Sequence, residues 1–396
     1  MRETVQLGYI KQMLTEYPDD IPLHFFLKDF YRKHPQFGSR DRKFYSELIY
    51  KYFRCKTLFE KLPFEEKLCY SGFLTSITPI PFYRYLITLQ NDALPLLENW
   101  HLTREEKIKL LSSAGKISWL RYFPSNPLID RELDVEGFLK SHLKQPKFYI
   151  RVNQKWTQQT EKKLREQNIE FEQSNDTFSF KATLDMAKLL PENSYEVQDL
   201  SSQKTISLMA FEGNENIWDC CAGAGGKSLM ILDKYPEIKL FCSDNRATII
   251  SNLKVRFAKN NIKPQGVDVY DVVKKNSALT FNGNTLSESF FDVIIADVPC
   301  SGSGTWGRTP ERLSQFKEEE IERYGNLQKS IVKNVLPFLK VGGKLIYITC
   351  SVYASENTEN IKLMERLGLV VSSKNYFVGY DTGADTLFGM VLKKIF

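Results

Sequence analysis

Histidine is scarce in this sequence and does not occur in its second half. The chain of 396 residues has four histidines. They are His24, His34, His101 and His142. A reaction centre beyond residue 145 therefore has no local histidine base, no Ser–His or Cys–His relay and no histidine-ligated metal. This absence excludes the commonest hydrolytic centres from that half.

Long apolar runs and paired cysteines are also lacking. No segment approaches the run of about 20 apolar residues that crosses a bilayer, and the first residues, MRETVQLGYIKQML, contain no apolar signal core. We therefore expect a cytoplasmic protein without a membrane partner. The cysteines are odd in number and show no C-x-x-C spacing, which predicts neither a disulfide framework nor a metal site. They are Cys55, Cys69, Cys220, Cys221, Cys242, Cys300 and Cys350.

The length and composition indicate two or three globular domains. Hydrophobic residues make up 42% of the chain and charged residues 26%, the ordinary balance of a soluble protein. A chain of 396 residues exceeds one typical domain. The formal net charge of +6 is compatible with a nucleic-acid partner but does not identify one. We expect a monomer.

Residues 1–145 are expected to form an all-α domain. Ser39 is a candidate N-cap of a helix that mixes basic side chains (Arg40, Arg42, Lys43, Lys51, Arg54, Lys56) with aromatic ones (Phe44, Tyr45, Tyr50, Tyr52, Phe53). Such a helix could contact RNA phosphates and stack on bases, or it could be a solvated basic face over an aromatic core. Apolar residues recur at helical spacing in Leu23–Phe30, Phe44–Tyr52, Leu86–Leu97 and Ile108–Leu120.

The remainder predicts a small α+β insert over 146–195 and a doubly wound, Rossmann-like α/β domain over 196–396. In the insert we expect strands at Phe148–Gln154 and Phe178–Thr183 around a helix at Gln158–Gln167. Beyond it, apolar runs alternate with helical stretches, which predicts a mostly parallel sheet. The expected strands are Asn216–Asp219, Leu240–Ser243, Val267–Asp271, Phe291–Val298 and Leu345–Thr349, with two edge strands at Leu369–Tyr376 and Leu387–Lys394; the expected helices are 226–235, 246–260, 318–338 and 355–366.

A glycine-rich loop follows the first strand of the α/β domain. Strand residues Ile217–Asp219 run into the loop Cys220–Ser228, where a helix begins. Small residues here let backbone N–H groups approach a ligand at a helix N-terminus. A P-loop needs glycine where Cys221 stands, and the dinucleotide pattern G-x-G-x-x-G is not matched, so both functions are disfavoured. The remaining interpretation is a loop that binds S-adenosylmethionine.

Such a loop predicts two further contacts to the cofactor. An acid at the end of the second strand would bond the ribose hydroxyls, and Asp244 stands there. The alternative is that Asp244 only caps a helix. A polar residue after the third strand would contact the adenine, and Asp271 suits this position, with Asp268 as the alternative.

Two cysteines follow the fourth and fifth strands. The fourth strand ends in Asp297-Val-Pro-Cys300-Ser-Gly-Ser-Gly and the fifth in Thr-Cys350-Ser. Because neighbouring parallel strands end at one edge of a sheet, we expect both thiols and Asp297 beside the glycine loop, with the sulfurs on opposite sides of one base-sized cleft. A lone cysteine is more often a small core residue, but this context is too polar and glycine-rich for that. Cys220, Cys221 and Cys242 are expected to pack or to contact the backbone.

These groups suit methyl transfer to carbon 5 of cytosine, a poor nucleophile. A thiolate added at carbon 6 turns carbon 5 into an enamine carbon that can attack the sulfonium methyl group; loss of the carbon-5 proton then expels the enzyme. A free cysteine has a pKa of about 8.5, so attack needs thiolate character from backbone dipoles, Lys227 or the sulfonium.

The chain resembles the Nop/Sun family of RNA 5-methylcytosine methyltransferases, and within it the bacterial small-subunit rRNA branch. The segment Arg151–Asn153 is similar to the family's small RNA-binding insert, and Ser39–Arg54 is similar to the NusB-like RNA-binding domain of that branch. The motifs that carry the resemblance are Gln198–Ser202, Asp219–Ser228, Asp244, Asp297–Gly304 with Arg308–Glu311, and Thr349–Ser351 with Glu356 and Asn357.

The resemblance implies a role for each matching residue. Cys350 is implied as the nucleophile, Cys300 as the residue that helps to release product, and Asp297 as the partner of the cytosine edge. Lys227 is implied to contact the cofactor or the target base. The implied cofactor-binding set is Cys221, Ala222, Gly223, Ala224, Gly225, Gly226, Lys227, Asp244, Asp271 and Asp297.

Two segments depart from the family's pattern. The family usually has Ala-Pro where this chain has Gly223-Ala224, a change that still leaves a tight loop. The family's Asp-Gly-Phe-Phe near the C-terminus corresponds here to Ala384–Phe388, which leaves the details of the last strand open.

Other functions remain as alternatives. A DNA cytosine-5 methyltransferase would use Cys300 as the nucleophile and leave Cys350 without a purpose. Two further alternatives are a tRNA cytosine-5 methyltransferase and an rRNA-binding ribosome-assembly factor whose catalysis is dispensable. Because sequence-specific RNA readers mostly choose loops and bulges, we expect the target to be an exposed loop cytosine of small-subunit rRNA, methylated before assembly is complete.

Overall fold

The computed structural model describes residues 2–90, 95–119, 122–125, 128–274 and 278–396. The chain forms two compact units. The first unit contains residues 1–127, 134–145 and 306–318, and the second contains 128–133, 146–305 and 319–396. The division into three domains at 145 and 195 remains a prediction. In the structure the insert and the α/β domain lie in one unit, and the segment 306–318 lies in the first unit. No helix in the described ranges is both long and apolar enough to span a bilayer.

The first unit is helical, as predicted. Its N-terminal helices are α1 (Arg2–Glu16), α2 (Leu23–Lys33), α3 (Ser39–Cys55), α4 (Phe64–Thr75), α5 (Pro81–Thr88), α6 (Arg104–Ser113) and α7 (Val135–Ser141). Ser39 is the first residue of α3 and not its N-cap; Gly38 holds the N-cap position, where its N–H donates to the Asp41 carboxylate at 3.3 Å.

Two of the predicted helical windows were too long. The helix expected over Leu86–Leu97 ends at Thr88, and that expected over Ile108–Leu120 ends at Ser113. Leu120 itself lies outside the described residues. Apolar side chains continue past both helix ends because they pack in turns, which hydrophobic spacing does not distinguish from helix. Leu96 and Trp100, for example, are buried without being helical.

The second unit begins with a small antiparallel sheet around one helix. Its strands are β1 (Phe148–Val152), β2 (Glu172–Ser174), β3 (Thr177–Phe180) and β4 (Tyr195–Val197), in the order β2-β3-β1-β4, with helices α8 (Thr157–Glu166) and α9 (Met186–Leu189). The predicted strands and helix of the insert are present, with shifted ends.

The larger sheet has seven strands within the described part of the chain: β5 (Asn216–Asp219), β6 (Lys239–Asp244), β7 (Gly266–Val269), β10 (Phe291–Asp297), β11 (Leu339–Thr349), β12 (Leu369–Phe377) and β13 (Leu387–Lys394). Their order is β12-β13-β11-β10-β5-β6-β7. The five strands β11, β10, β5, β6 and β7 run parallel, whereas β13 is antiparallel to β11 and β12 is antiparallel to β13. A separate hairpin is formed by β8 (Thr280–Phe281) and β9 (Asn284–Thr285). The predicted doubly wound fold and both edge strands are confirmed.

Helices cover both faces of this sheet. Successive strand residues point to opposite faces, and here both sets are buried: Trp218 and Ile294 belong to one apolar cluster, and Ile217 and Ile295 to the other. Burial on both faces is the pattern of a parallel sheet. The helices are α10 (Leu200–Lys204), α11 (Gly226–Lys234), α12 (Ala247–Lys259), α14 (Glu319–Val335) and α15 (Ile361–Arg366), while α13 (Arg312–Gln315) lies in the first unit.

Candidate functional site

The glycine loop connects β5 to α11 by a tight turn. Gly223 and Gly225 have φ angles of +54° and +83°, in the left-handed region that favours glycine. A Cβ atom on Gly225 would lie 2.1 Å from Cδ1 of Leu253, whereas one on Gly223 would meet nothing within 4 Å. Gly225 is therefore favoured by its backbone angle and by its closeness to Leu253 of α12, and Gly223 faces open space. The Ala222 N–H donates to the Ser243 carbonyl at 2.9 Å, which joins the loop to β6.

Asp244 ends β6 and turns its carboxylate toward this loop. The Gly223 N–H donates to Asp244 Oδ2 at 3.1 Å. Arg246 donates to both carboxylate oxygens, at 2.8 and 2.9 Å. Burial opposes the charge of Asp244, but the hydrogen bonds from Arg246 and Gly223 outweigh it and hold its pKa below the usual value. The predicted ribose partner is thus an ionised group at the glycine loop, and its pairing with Arg246 is a feature that the sequence analysis missed.

Asp271 and Asp268, the two candidates for the adenine contact, occupy different surroundings. Asp271 follows β7 and lines the same cleft as the glycine loop. The Asp268 side chain instead accepts a hydrogen bond from the Asn282 N–H at 2.6 Å, beside the hairpin β8–β9. The structure therefore brings Asp271, and not Asp268, to the cleft.

Lys227 and Asp297 form an ion pair across the cleft floor. Lys227 lies in the first turn of α11 and Asp297 ends β10, and Lys227 Nζ is 2.6 Å from Asp297 Oδ2. The side chains are 12% and 33% exposed. Burial opposes the lysine charge, but the Asp297 carboxylate outweighs it and raises the Lys227 pKa above its usual value. The pair therefore contains a cation that persists near the thiols.

The Cys300 and Cys350 sulfurs lie 3.3 Å apart. They follow β10 and β11, which are parallel neighbours, so the predicted convergence of the two loops is present. The Gly304 N–H also donates to the Cys350 carbonyl at 2.9 Å. The hydrogen bond with Cys350, together with burial, raises the pKa of Cys300 well above its usual value.

One detail of the prediction was wrong. The sulfurs were expected on opposite sides of a base-sized cleft, but two van der Waals contacts with a flat ring would need a separation of about 7 Å. At 3.3 Å the sulfurs touch each other, so a base can approach them only from one side. The physical reason is that β10 and β11 are adjacent and their loops are joined directly through Gly304.

Asp219 is a cleft residue that the sequence analysis did not single out. It ends β5, is 1% exposed and lines the cleft. Its Oδ2 accepts a hydrogen bond from the Ser228 hydroxyl at 2.5 Å, while its Oδ1 has no hydrogen-bond partner. Burial raises the pKa of Asp219 to about 7, an effect that the nearby Asp297 charge increases and the Ser228 hydrogen bond opposes. The available signal was an acid that ends a strand directly before a glycine loop.

Together these groups surround one cleft of about 850 Å³, within the size range of small-molecule sites. Cys242 and Cys220 are buried, and Cys220 lines the cleft together with the less buried Cys221. The predicted site residues at the cleft are Cys221, Ala222, Gly223, Ala224, Gly226, Lys227, Asp244, Asp271, Asp297, Cys300 and Cys350.

The basic helix α3 differs from its prediction in one residue. Arg54 is 5% exposed and donates to the carbonyls of His142 and Gly307 at 2.7 and 3.0 Å. It is therefore a buried structural group of the first unit and cannot contact RNA phosphates. Tyr52 and Phe53 are also buried. Arg40 is exposed, so an RNA-contacting role for it remains a prediction.

Comparison with known proteins gives a family match over most of the range 196–396 that was predicted as the α/β domain. Residues 206–376 match the family described as 16S rRNA methyltransferase RsmB/F. Ribosomal RNA small subunit methyltransferase B of Cronobacter sakazakii is 34% identical over 166 residues, which cover 42% of this chain and 37% of that protein. The match thus covers little more than a third of that relative's length.

Two solved structures resemble the fold more broadly. The crystal structure of PH0851 has a TM-score of 0.68 at 18% identity, covering 94% of this chain and 95% of that one. NSun6 from Pyrococcus horikoshii, solved with SFG, has a TM-score of 0.58 at 15% identity, covering 70% of this chain and 100% of that one. At these identities the likeness shows the fold alone. The match of residues 206–376 to the RsmB/F methyltransferase family is similarity over part of the chain, and it agrees with the predicted resemblance to the Nop/Sun family.

Proposed function

We propose that this protein transfers a methyl group from S-adenosylmethionine to carbon 5 of a cytosine in small-subunit ribosomal RNA. The observation that carries the proposal is the contact between two thiols, 3.3 Å apart, beside a glycine loop and a Lys–Asp pair. Ribosomal RNA as the substrate is supported by the description of the matching family and by the name of its relative.

The cleft suits S-adenosylmethionine in both charge and shape. Asp219 presents a buried carboxylate oxygen without a partner, which the α-ammonium group of the cofactor would satisfy. Asp244 suits the ribose hydroxyls, and Asp271 suits the adenine. The glycine loop provides backbone N–H groups and open space at Gly223. When bound, the cofactor supplies an electrophilic methyl group.

Cys350 is the nucleophile of the proposed reaction. Its thiol loses a proton to solvent, and the thiolate is stabilised by the Lys227 cation and by the Cys300 S–H at 3.3 Å. The Sγ–C6 bond then forms, and the electron pair of the C5–C6 double bond becomes available at carbon 5. The new bond from carbon 5 to the methyl carbon would replace that carbon's bond to the donor sulfur. Asp297, which is paired with Lys227, accepts a hydrogen bond from the exocyclic amine beside N3 and so holds that edge of the cytosine.

Cys300 completes the reaction as a proton carrier. Its raised pKa keeps it as a neutral thiol, so it can give its S–H proton to the departing sulfur of Cys350 and take the proton from carbon 5. The C5–H and Sγ–C6 bonds break, the C5–C6 double bond is restored, and both cysteines end as thiols. The net change is one methyl group gained and one proton released.

A transfer assay tests the proposed function. The purified chain is incubated with radiolabelled S-adenosylmethionine and, separately, free small-subunit rRNA, intact small subunits, tRNA and DNA, and 5-methylcytosine is quantified by mass spectrometry of the nucleosides. We expect label in free small-subunit rRNA ahead of intact subunits. Label confined to tRNA or DNA, or no 5-methylcytosine in any substrate, would contradict the proposal.

A complementation experiment separates catalysis from an assembly role. Bisulfite sequencing of RNA from deletion and parent strains locates the cytosine. We expect a Cys350→Ala copy to leave that cytosine unmethylated. If the same copy restored every growth and assembly defect of the deletion strain, the protein would act as an assembly factor.

A further inference from the structure

Glu356 lies at the junction of the two cysteine loops, in a short helical turn (Ala354–Glu356) that follows Cys350. Its side chain is fully buried. We propose that Glu356 is a positioning residue whose carboxylate fixes the separation of the Cys300 and Cys350 thiols. This role rests on the proposed function, since it assigns a residue to the same reaction.

The carboxylate of Glu356 contacts both loops, one with each oxygen. The Ser301 N–H donates to Oε2 at 2.8 Å, and the Ser351 hydroxyl donates to Oε1 at 2.8 Å. Each donor belongs to the residue that directly follows a cysteine. A single rigid, planar group therefore joins the backbone beside Cys300 to the side chain beside Cys350.

Gln328 of α14 holds the other side of the Cys300 loop. Its Nε2 donates to Glu356 Oε2 at 3.0 Å and to the Pro299 carbonyl at 3.1 Å. Its Oε1 accepts from the Tyr347 hydroxyl at 2.9 Å and from Asn360 at 3.1 Å, which fixes the orientation of the amide. Glu356 and Gln328 thus restrain the residues on both sides of Cys300.

Serine hydroxyls add a second link between the loops. Ser301 and Ser351 are joined at 3.1 Å, Ser303 and Ser351 at 3.2 Å, and the Val352 N–H donates to Ser303 at 2.9 Å. These residues are buried, so no solvent can replace a lost partner. Removing the carboxylate would take an acceptor from three buried donors, the Ser301 N–H, the Ser351 hydroxyl and the Gln328 amide, and the loops would have to move to satisfy them.

The length of the side chain determines whether it can join both loops. Aspartate keeps the charge but is one methylene shorter, so it cannot reach both donors from the same backbone position. Glutamine keeps the length, and its Oε1 can accept from Ser301 and Gln328. Its Nε2 can donate to the Ser351 oxygen, which accepts from the Tyr353 N–H at 3.1 Å and has a lone pair left when the Ser301 hydroxyl donates to Ser303 instead. A positioning role therefore predicts that glutamine replaces glutamate better than aspartate does.

The experiment compares Glu356→Asp, Glu356→Gln and Glu356→Ala in the full chain. The separation of the thiols is measured as the rate at which diamide, which takes one hydrogen from each thiol, closes a Cys300–Cys350 disulfide, followed by mass spectrometry of the linked peptides. The second measurement is kcat and KM for methyl transfer to RNA. Glu359→Ala is the matched control, since Glu359 is exposed three residues further on.

We expect the aspartate and alanine variants to close the disulfide about tenfold more slowly. Their kcat should fall about 100-fold with KM little changed, because a shift of about 1 Å at reacting atoms has effects of this size. The glutamine and Glu359→Ala variants should stay within threefold of the native protein. Native closure rates and kcat in Glu356→Asp would overturn the proposal, and this variant decides the matter if Glu356→Ala does not fold. If the native protein methylates no RNA, the proposed function fails, but the closure rates still test the role of Glu356.

Discussion

The Cys300 and Cys350 sulfurs are in contact at 3.3 Å, although fifty residues of chain separate them. Two adjacent parallel strands, β10 and β11, place both loops at one sheet edge, and buried polar contacts hold them together. The hydrogen bond and burial raise the pKa of the Cys300 thiol well above its usual value. In the proposed reaction this thiol is the proton carrier beside the nucleophile.

We expect this contact to make the protein sensitive to oxidation. We expect diamide to abolish methyl transfer as the Cys300–Cys350 disulfide closes, because no free nucleophile remains, and dithiothreitol to restore it. Cys55 and Cys69 are buried and should stay reduced. Full activity after the linked peptide has been detected would contradict the assignment of both cysteines to the reaction.

Gly304 is required where the cysteine loop meets the start of β13. A Cβ atom on Gly304 would lie 1.9 Å from the Thr386 carbonyl oxygen and 3.1 Å from that of Cys350, and backbone atoms cannot turn away as a side chain can. We expect Gly304→Ala to lower the free energy of unfolding by about 1–3 kcal/mol and to abolish transfer, as measured by urea unfolding and the transfer assay. Gly8→Ala is the control: its Cβ would meet nothing within 4 Å, and α1 should gain about 0.5–1 kcal/mol. A Gly304→Ala protein of native stability and activity would refute this account of the loop.

Asp219 predicts a pH dependence of cofactor binding. Burial raises its pKa to about 7, and its ionised form is the one that binds an ammonium group. The carboxylate is therefore protonated as the pH falls through 7, and affinity should fall with it. Between pH 7.5 and 6 the ionised fraction of such a group drops about eightfold.

Titration calorimetry with S-adenosylhomocysteine, which carries the same ammonium group, measures this effect. We expect an increase in Kd of about eightfold over that interval for the native protein, and a weaker, pH-independent Kd for Asp219→Asn. Equal Kd values at both pH values in the native protein would show that Asp219 does not receive the ammonium.

Arg54 and Arg40 lie on the same helix but should respond differently to substitution. Arg54→Ala removes a buried cation that donates to two carbonyls, so we expect it to lower the free energy of unfolding by about 2–4 kcal/mol. Arg40→Ala, at an exposed position, should change stability by less than about 0.5 kcal/mol. If Arg40 contacts a phosphate, its removal should instead weaken RNA binding. It should also reduce the slope of the logarithm of RNA affinity against the logarithm of salt concentration by about one. Chemical unfolding measures the stability of both variants, and RNA binding at several salt concentrations measures the role of Arg40. An equal loss of stability in Arg54→Ala and Arg40→Ala would contradict the buried role assigned to Arg54.

The sequence was sufficient for the seven strands of the larger sheet and for the residues at their ends, but it did not predict β2, β4, β8 or β9. Strand-end position is a local pattern, and a parallel sheet brings such residues together whatever the loops do. This is why Asp244 and the two cysteine motifs could be assigned to one edge before their distances were known, and why Asp271 could be named with Asp268 as its alternative.

The remaining features depend on contacts between residues far apart in the chain. Arg54 looked like one more basic residue of a solvated helix, and only the carbonyls of His142 and Gly307 reveal its burial. The role of Glu356 depends on Ser301, which lies 55 residues away. Likewise, the separation of the sulfurs follows from strand adjacency and loop contacts, which residue patterns do not encode.

Adduct formation on RNA that contains 5-fluorocytidine tests the central claim most directly. Fluorine at carbon 5 cannot leave as a proton does, so the enzyme should stay attached to the base through the nucleophilic sulfur. We expect Cys300→Ala to form a denaturation-resistant RNA–protein adduct and Cys350→Ala to form none. An adduct in Cys350→Ala that is lost in Cys300→Ala would reverse the roles of the two thiols and contradict the account.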